Sequence, residues 1–240
     1  MKWGLVEGGR VRRQTAVSVV AFVWGLSTLG PALAAAQSDE ADRVREAAAV
    51  FEEIMSAPDR AIPGWVLERA AGVAVFPGTL RAGFVVGGQR GRGILSALEA
   101  DSGTWSAPGF LTLTAGSFGA QIGGEAVDLV LVVMNRRGLE SLVRNNWKVG
   151  AGASVAAGPL GRTAEASTDI QLRAEILSYS RSRGLFAGVT IEGATIRRDR
   201  DANEAFYGEP YDTRDIVFDR LGGAPDPTVE WRDMLEKYTP

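Results

Sequence analysis

The chain has 240 residues, 45% of them hydrophobic and 23% charged, with 30 glycines and a formal net charge of −3. That length supports one substantial core, and the balance of apolar and charged residues is that of a globular chain. It contains no cysteine and no histidine, which excludes disulfides, thiolate nucleophiles, thiolate–zinc sites, imidazole bases and any Ser–His–Asp triad.

Residues 1–36 carry four cations (Lys2, Arg10, Arg12 and Arg13) and one anion, Glu7. The basic start, the apolar run from Ala16 to Leu29 and the small residues Ala34-Ala35-Ala36 before Gln37 fit an export signal cleaved near Ala36. Ala32-Leu33-Ala34 is the competing cleavage site. The apolar run is shorter than the roughly 20 residues a spanning helix needs. The expectation is a periplasmic or secreted protein whose mature part, residues 37–240, is one domain. Its net charge would be −6, against −3 for the whole chain. A mature chain of that sign is not built for general attraction to nucleic acid or to an anionic membrane, so anion recognition must come from a local group of cations.

Val44, Ala48, Phe51 and Met55 recur at helical spacing and predict a helix over 39–57, capped by Ser38 or Asp39 and ended by Ala57-Pro58. Pro63 opens a second short helix, where its missing N–H costs little. From Gly72 the pattern is β. A first strand, Val73 to Phe76, is expected to stop at the turn pair Pro77-Gly78. Ala82 to Gly88 and Gly93 to Ala97 read as two strands joined by Gln89-Arg90-Gly91-Arg92, and Asp101-Ser102-Gly103 as a hairpin turn before Trp105. Phe110 to Gly116 and Ser117 to Gly123 alternate weakly. Val127 to Met134 is apolar through most of its length, the pattern of a strand buried on both faces or of a buried helix turn.

Asn135 to Asn145 predicts a short helix with Leu139, Leu142 and Val143 inward and Arg136, Arg137 and Arg144 outward. Val149 to Ala157, Thr168 to Tyr179 and Leu185 to Ile196 read as strands, the last two joined at Arg183-Gly184. Tyr211 to Leu221 is a helix closed by Gly222-Gly223, and Asp226-Pro227 opens a last helix with Trp231, Met234, Leu235 and Tyr238 on one face.

Four groups of residues are candidates for chemistry. In Gly87-Gly88-Gln89-Arg90-Gly91-Arg92-Gly93, glycines let the backbone approach an anion while Arg90 and Arg92 offer bidentate bonds to phosphate. The segment lacks the ending of a P-loop, and a solvated turn that keeps a sheet edge soluble is the competing reading. Trp105, beside Pro108 and Phe110, is either a core anchor or an aromatic anchor at a membrane interface. Among the carboxylates Glu125, Asp128, Glu165, Asp169 and Glu175, two at the right separation could hydrolyse glycosides, but nothing in the sequence shows which would face each other. Asp169 is expected to need a structural partner, Arg173 or Arg183. The run Arg197-Arg198-Asp199-Arg200-Asp201 reads as a solvated loop, without the pattern of a calcium loop.

The segments Ala71-Gly72-Val73-Ala74-Val75-Phe76, Trp105-Ser106-Ala107-Pro108, Ala156-Ala157-Gly158-Pro159, Thr168-Asp169, Ser178-Tyr179-Ser180 and Gly184-Leu185-Phe186-Ala187-Gly188 occur in this order. With them the chain resembles the SYLF family, Ysc84-like in some members, over residues 62–208. The resemblance implies a non-catalytic module that binds phospholipid head groups, with no cofactor and no metal. Eukaryotic relatives bind phosphoinositides and, in yeast, actin filaments. These 240 residues carry no SH3 or FYVE module, so actin is not an expected partner and the protein partner is left open. The resemblance adds Arg183 to Arg90 and Arg92 as head-group contacts; Arg183 stands where many relatives carry Lys.

The expected fold class is α+β: a mainly antiparallel, strongly curved or barrel-like β-sheet flanked by N- and C-terminal helices. An outer-membrane barrel fits the alternation and the glycine content, but not the helical stretches or the apolar run at 127–134. The expected function is an exported lipid-binding module, and the alternative is a structural or protein-interaction domain of the cell envelope.

Overall fold

A computed structural model describes residues 29–57, 62–83, 86–99, 102–118, 123–160, 173–182, 185–188, 191, 193–218, 221 and 225–239. Residues 1–35 form one unit, described only from Leu29 onward, and Ala36–Pro240 form a compact body. Six helices are described: α1 (Leu29–Ser56), α2 (Gly64–Glu68), α3 (Arg136–Leu142), α4 (Arg200–Tyr207), α5 (Thr213–Phe218) and α6 (Pro227–Tyr238). Nine strands are β1 (Gly72–Gly83), β2 (Val86–Ala97), β3 (Gly109–Phe118), β4 (Gly123–Val133), β5 (Trp147–Lys148), β6 (Val155–Ala157), β7 (Ile176–Ser182), β8 (Leu185–Gly188) and β9 (Thr195–Arg198).

The strands form one curled sheet in the order β5-β9-β3-β2-β1-β4-β7-β6, with β8 paired to β7. Every pairing is antiparallel except β6 with β7. The expected class therefore holds: a mostly antiparallel curved sheet with helices from both chain ends packed on it.

Both faces of the sheet are apolar at its centre. On one, Val73, Val75, Ile94, Phe110, Val130 and Val132 pack under α1, α2 and α6. The two terminal helices meet there: the Phe51 ring lies edge-on to Trp231, centroids 6.1 Å apart, and to Tyr238 at the same distance. Buried Trp231 donates its indole N–H to Ser96 Oγ at 2.9 Å, which satisfies the polar end of a large apolar side chain. On the other face, Phe76, Leu95, Leu111, Leu131 and Ile196 pack with Leu139 and Leu142 of α3 and Val217 of α5. Strand β4 lies between these layers, so its run of apolar residues is buried on both faces as its pattern predicts.

Several boundaries differ from the sequence reading. Helix α1 is already formed at Leu29, the first described residue, rather than starting beside Ser38, because Ala32 to Ala36 is a stretch of strong helix formers that extends it. Pro77-Gly78 does not end β1. It forms a bulge: one extra residue is accommodated against β4 between Phe76 and Thr79, and against β2 between Val75 and Leu80. Gly78 takes φ +53°, and its N–H donates to Asp128 Oδ1 at 2.8 Å. Gln89 to Arg92 is likewise no loop but the middle of β2, hydrogen-bonded to β1 on one side and β3 on the other. Its glycines serve close packing. A Cβ on Gly91 would strike the Thr79 side chain, and one on Gly93 would strike the Val75 carbonyl and the Phe76 ring.

The predicted strand at 149–157 is reduced to β6, because Gly150 and Gly152 take φ of +93° and +87° and turn the chain. The long strand expected over 185–196 is two short ones, β8 and β9. Helix α4 replaces what reads as a solvated loop after Arg197. Asp199 caps it by accepting from the Ala202 N–H at 3.3 Å, and Gly208 at φ +75° closes it. Helices α3 and α6 lie where their periodicity puts them, α3 capped by Asn135 through the Gly138 N–H at 2.9 Å.

Candidate functional site

The β1 bulge, the middle of β2 and the exposed flank of α1 enclose an open cleft of about 510 Å³. Asp39, Asp42, Arg43 and Glu46 come from α1, Pro77 and Gly78 from the bulge, and Arg90, Gly91 and Arg92 from β2. Alternation along β2 sends Arg90 and Arg92 to the helix side of the sheet while Gly91 and Gly93 face the opposite layer.

Beneath the cleft lies a buried ionic cluster. Glu40 is 4% exposed and Arg43 6%. The Glu40 carboxylate forms an ion pair with Arg43 Nη2 at 2.5 Å and accepts a hydrogen bond from Arg92 Nη2 at 2.6 Å. Asp199 approaches Arg43 Nη1 at 3.5 Å and Arg92 Nε at 3.8 Å. Two carboxylates thus face two guanidinium groups, and the Arg43 guanidinium also lies 5.2 Å from the Phe110 ring centroid. Burial raises the Glu40 pKa above its ordinary value, against the pull of Arg43 and Arg92. Burial likewise lowers that of Arg43, against Glu40. The cluster joins α1, β2 and the start of α4 into one unit, and its members neutralise each other. It is a clamp more than a binding surface.

This geometry separates the two arginines that the sequence groups together. Arg92 is half committed, its guanidinium paired with buried Glu40 although half of its side chain remains in solvent. Arg90 is exposed and makes no ion pair among the described residues. Arg183 and Asp169 lie outside the described residues. Trp105 does not take the interfacial place considered for it. It is 2% exposed, with its indole N–H donated to Thr239 Oγ1 at 3.0 Å, and the core reading describes it. Its neighbours explain why: Leu98 bridges to Trp105 across the turn at Gly103, and the ring is drawn under α6.

Two of the carboxylates considered for hydrolysis, Asp128 and Glu175, have structural partners. Asp128 pairs with Arg181 at 2.6 Å, and Arg181 also pairs with Glu53. Glu175 pairs with Arg137 at 3.4 Å and accepts the Ser154 N–H at 3.0 Å. The Glu125 side chain and Glu165 lie outside the described residues. Among the described residues no group of three or more carboxylates gathers to hold a metal. Glu40 and Asp199 are the site residues that sequence reasoning misses. Asp199 carried a usable signal, an Asp preceding the helical spacing Ala202, Asn203, Phe206 and a closing Gly208. Glu40 carried none, since it sits among exposed carboxylates and its second partner, Arg92, is 52 residues away in the chain.

What the arrangement offers chemically is cationic hydrogen-bond donors on a rigid strand, beside a cleft of mixed charge. Comparison with known proteins shows the family to which the chain belongs. The family described as "Ysc84: Las17-binding protein actin regulator" matches residues 114–238, just over half of the chain. Protein YSC84 of Saccharomyces cerevisiae is 37% identical over 170 residues, 70% of this chain and 36% of that protein. LAS seventeen-binding protein 3 of the same yeast is 38% identical over 175 residues, covering 72% and 37%. SH3 domain-containing YSC84-like protein 1 of Rattus norvegicus is 36% identical over 200 residues, covering 82% and 57%. The chain thus spans between about a third and somewhat over half of the length of these relatives. The chain belongs to the Ysc84 family, the SYLF-domain proteins.

Proposed function

We propose that this protein is an exported, non-catalytic module that engages phospholipid head groups of a membrane surface. The reading rests on family membership together with one observation: Arg90 stands exposed and without an ion pair among the described residues, on a strand held on both sides. A guanidinium so placed keeps its donors for a ligand and loses little entropy on binding, because its backbone is already fixed. Arg92 supports it at the cleft, while its bond to Glu40 limits how far it can turn to a ligand. Arg183 stays a proposed contact by resemblance alone.

Flotation of the full chain with vesicles of phosphatidylcholine, with and without phosphatidylglycerol, tests the reading. Arg90→Glu is expected to lower the anionic-vesicle partition on the order of tenfold, since each cation at a membrane surface contributes about 1 kcal/mol. Unchanged partition would remove the cleft from the account. Export is checked by the N-terminus of the protein recovered from cells, which should begin near Gln37.

A second reading has its own support. The family description and the names of two relatives speak of binding to Las17 or an SH3 context, which are protein contacts. Under that reading the chain is a protein-interaction domain of the envelope. Absence of vesicle binding, with a specific protein captured by wild type and lost in Arg90→Glu, would favour it.

A further inference from the structure

Beyond the Glu40–Arg43–Arg92–Asp199 cluster, the face of the sheet that carries α1 and α6 continues where no described helix covers it. Strand register fixes what this open end displays. Arg90 pairs with Thr114, Thr114 with Thr195, and Thr195 with Lys148, a row running across β2, β3, β9 and β5. One pleat along, Arg92 pairs with Thr112 and Thr112 with Arg197. Residues paired across strands share a face, as do residues two apart in one strand, so the two rows adjoin. The intervening Gly91, Leu113, Ile196 and Trp147 are buried in the opposite layer, which anchors the rows from behind.

Arg90, Thr114, Arg197 and Lys148 are exposed, and neither row contains a carboxylate. Arg90, Arg197 and Lys148 make no ion pair among the described residues. With strands about 4.8 Å apart, Arg90 and Lys148 stand roughly 14 Å from each other and Arg92 and Arg197 roughly 10 Å, with threonine hydroxyls between them. On the other flank of Arg90 the cleft wall carries Asp39, Asp42 and Glu46. The local charge therefore turns positive only in the direction of β9 and β5. This happens on a chain whose net charge is negative, so the cations are a local feature and not a consequence of composition.

We propose that this open end of the sheet is the surface on which the protein docks to an anionic phospholipid bilayer, with Lys148 and Arg197 joining Arg90 as head-group contacts. The inference rests on the lipid-binding reading above and adds the face and two residues to it. A bilayer is the occupant because the cations are spread over roughly 14 Å of open sheet, with Lys148 and Arg197 standing away from the cleft that Arg90 borders. One phosphate satisfies one or two guanidinium groups, whereas a plane of head groups meets all of them at once. Salt screens the attraction between these cations and the head groups, so binding should fall as salt rises, less steeply than for a wholly basic protein because the repulsion of the remaining acidic surface is screened as well.

The test is flotation of the full chain, as wild type, Lys148→Ala, Arg197→Ala, the double variant and Arg144→Ala, with the same two vesicle compositions. Arg144 is an exposed cation that follows α3 on the opposite side of the sheet and serves as the control. The readout is the gain in partition caused by phosphatidylglycerol, which cancels any binding common to neutral vesicles. Each single variant should lose about fivefold and the double variant about 25-fold, with Arg144→Ala unchanged and circular dichroism identical throughout. Equal losses in all variants, or none in the Lys148 and Arg197 variants while Arg90→Glu still loses binding, would overturn this face and leave the lipid reading standing. Wild type that ignores both compositions would overturn that reading itself, and this inference with it.

Discussion

Two carboxylates show how burial and pairing compete at single residues. Glu40 is held by two guanidinium groups, yet burial dominates and raises its pKa above the ordinary 4.5. Its contribution to stability is therefore fully present below that value and is lost as pH rises through the folded pKa. Asp212 is the opposite case. Burial raises its pKa, but the Arg214 N–H, Arg198 at 2.6 Å and Arg200 at 2.9 Å outweigh it and hold the pKa below 3.8. Its contribution is present above 3.8 and is lost as pH falls through the folded pKa. Melting temperature across pH should accordingly lose its decline on the neutral side in Glu40→Gln, and part of its acid-side fall in Asp212→Asn. A wild type whose stability increases as pH rises toward 4.5, with Glu40→Gln abolishing that rise, would show that pairing dominates at Glu40 instead. Neither behaviour is legible in the sequence: Glu40 looks like its exposed neighbours Asp39 and Asp42, and its distant partner Arg92, with Asp199 beside that guanidinium, is brought to it only by the fold.

At the scale of elements, the bulge in β1 and the glycines of β2 are one device. The extra residue at Pro77-Gly78 pushes Thr79 and Phe76 toward β2, and Gly91 and Gly93 leave room for them. Gly93→Ala places a methyl group against the Val75 carbonyl and the Phe76 ring, and is expected to cost about 2 kcal/mol. Urea unfolding should show a lower midpoint with an unchanged slope; a midpoint equal to wild type would mean that the strands separate easily there. This device also explains the main misreading of the sequence. Gly-Gly-Gln-Arg-Gly-Arg-Gly has the composition of a loop, and only the presence of β1 turns its glycines into close-packing positions. Where periodicity was strong the elements were legible. The apolar run of β4, the Asn135-capped α3 and the Trp231–Leu235 face of α6 lie as read. Short elements defined by their partners, such as β5 and β6, were not.

The body formed by Ala36–Pro240 is a curled sheet whose helix-bearing face is divided by a buried ionic cluster. One part is sealed by α1 and α6, with Phe51 against Trp231, and the other stays open and cationic. The curved antiparallel class and the terminal helices followed from alternation and glycine content. The division of the face did not, because it depends on register across β2, β3, β9 and β5. The same register explains why Arg90 was identified from sequence while Lys148 and Arg197 were not: they lie far apart in the chain and share no motif. The absence of cysteine makes the orientation directly measurable. An environment-sensitive fluorophore on Thr114→Cys, in the middle of the open face, should shift its emission to the blue when anionic vesicles are added. The same label on Arg144→Cys, on the opposite side, should stay unchanged. A shift at Arg144→Cys with none at Thr114→Cys would contradict the account.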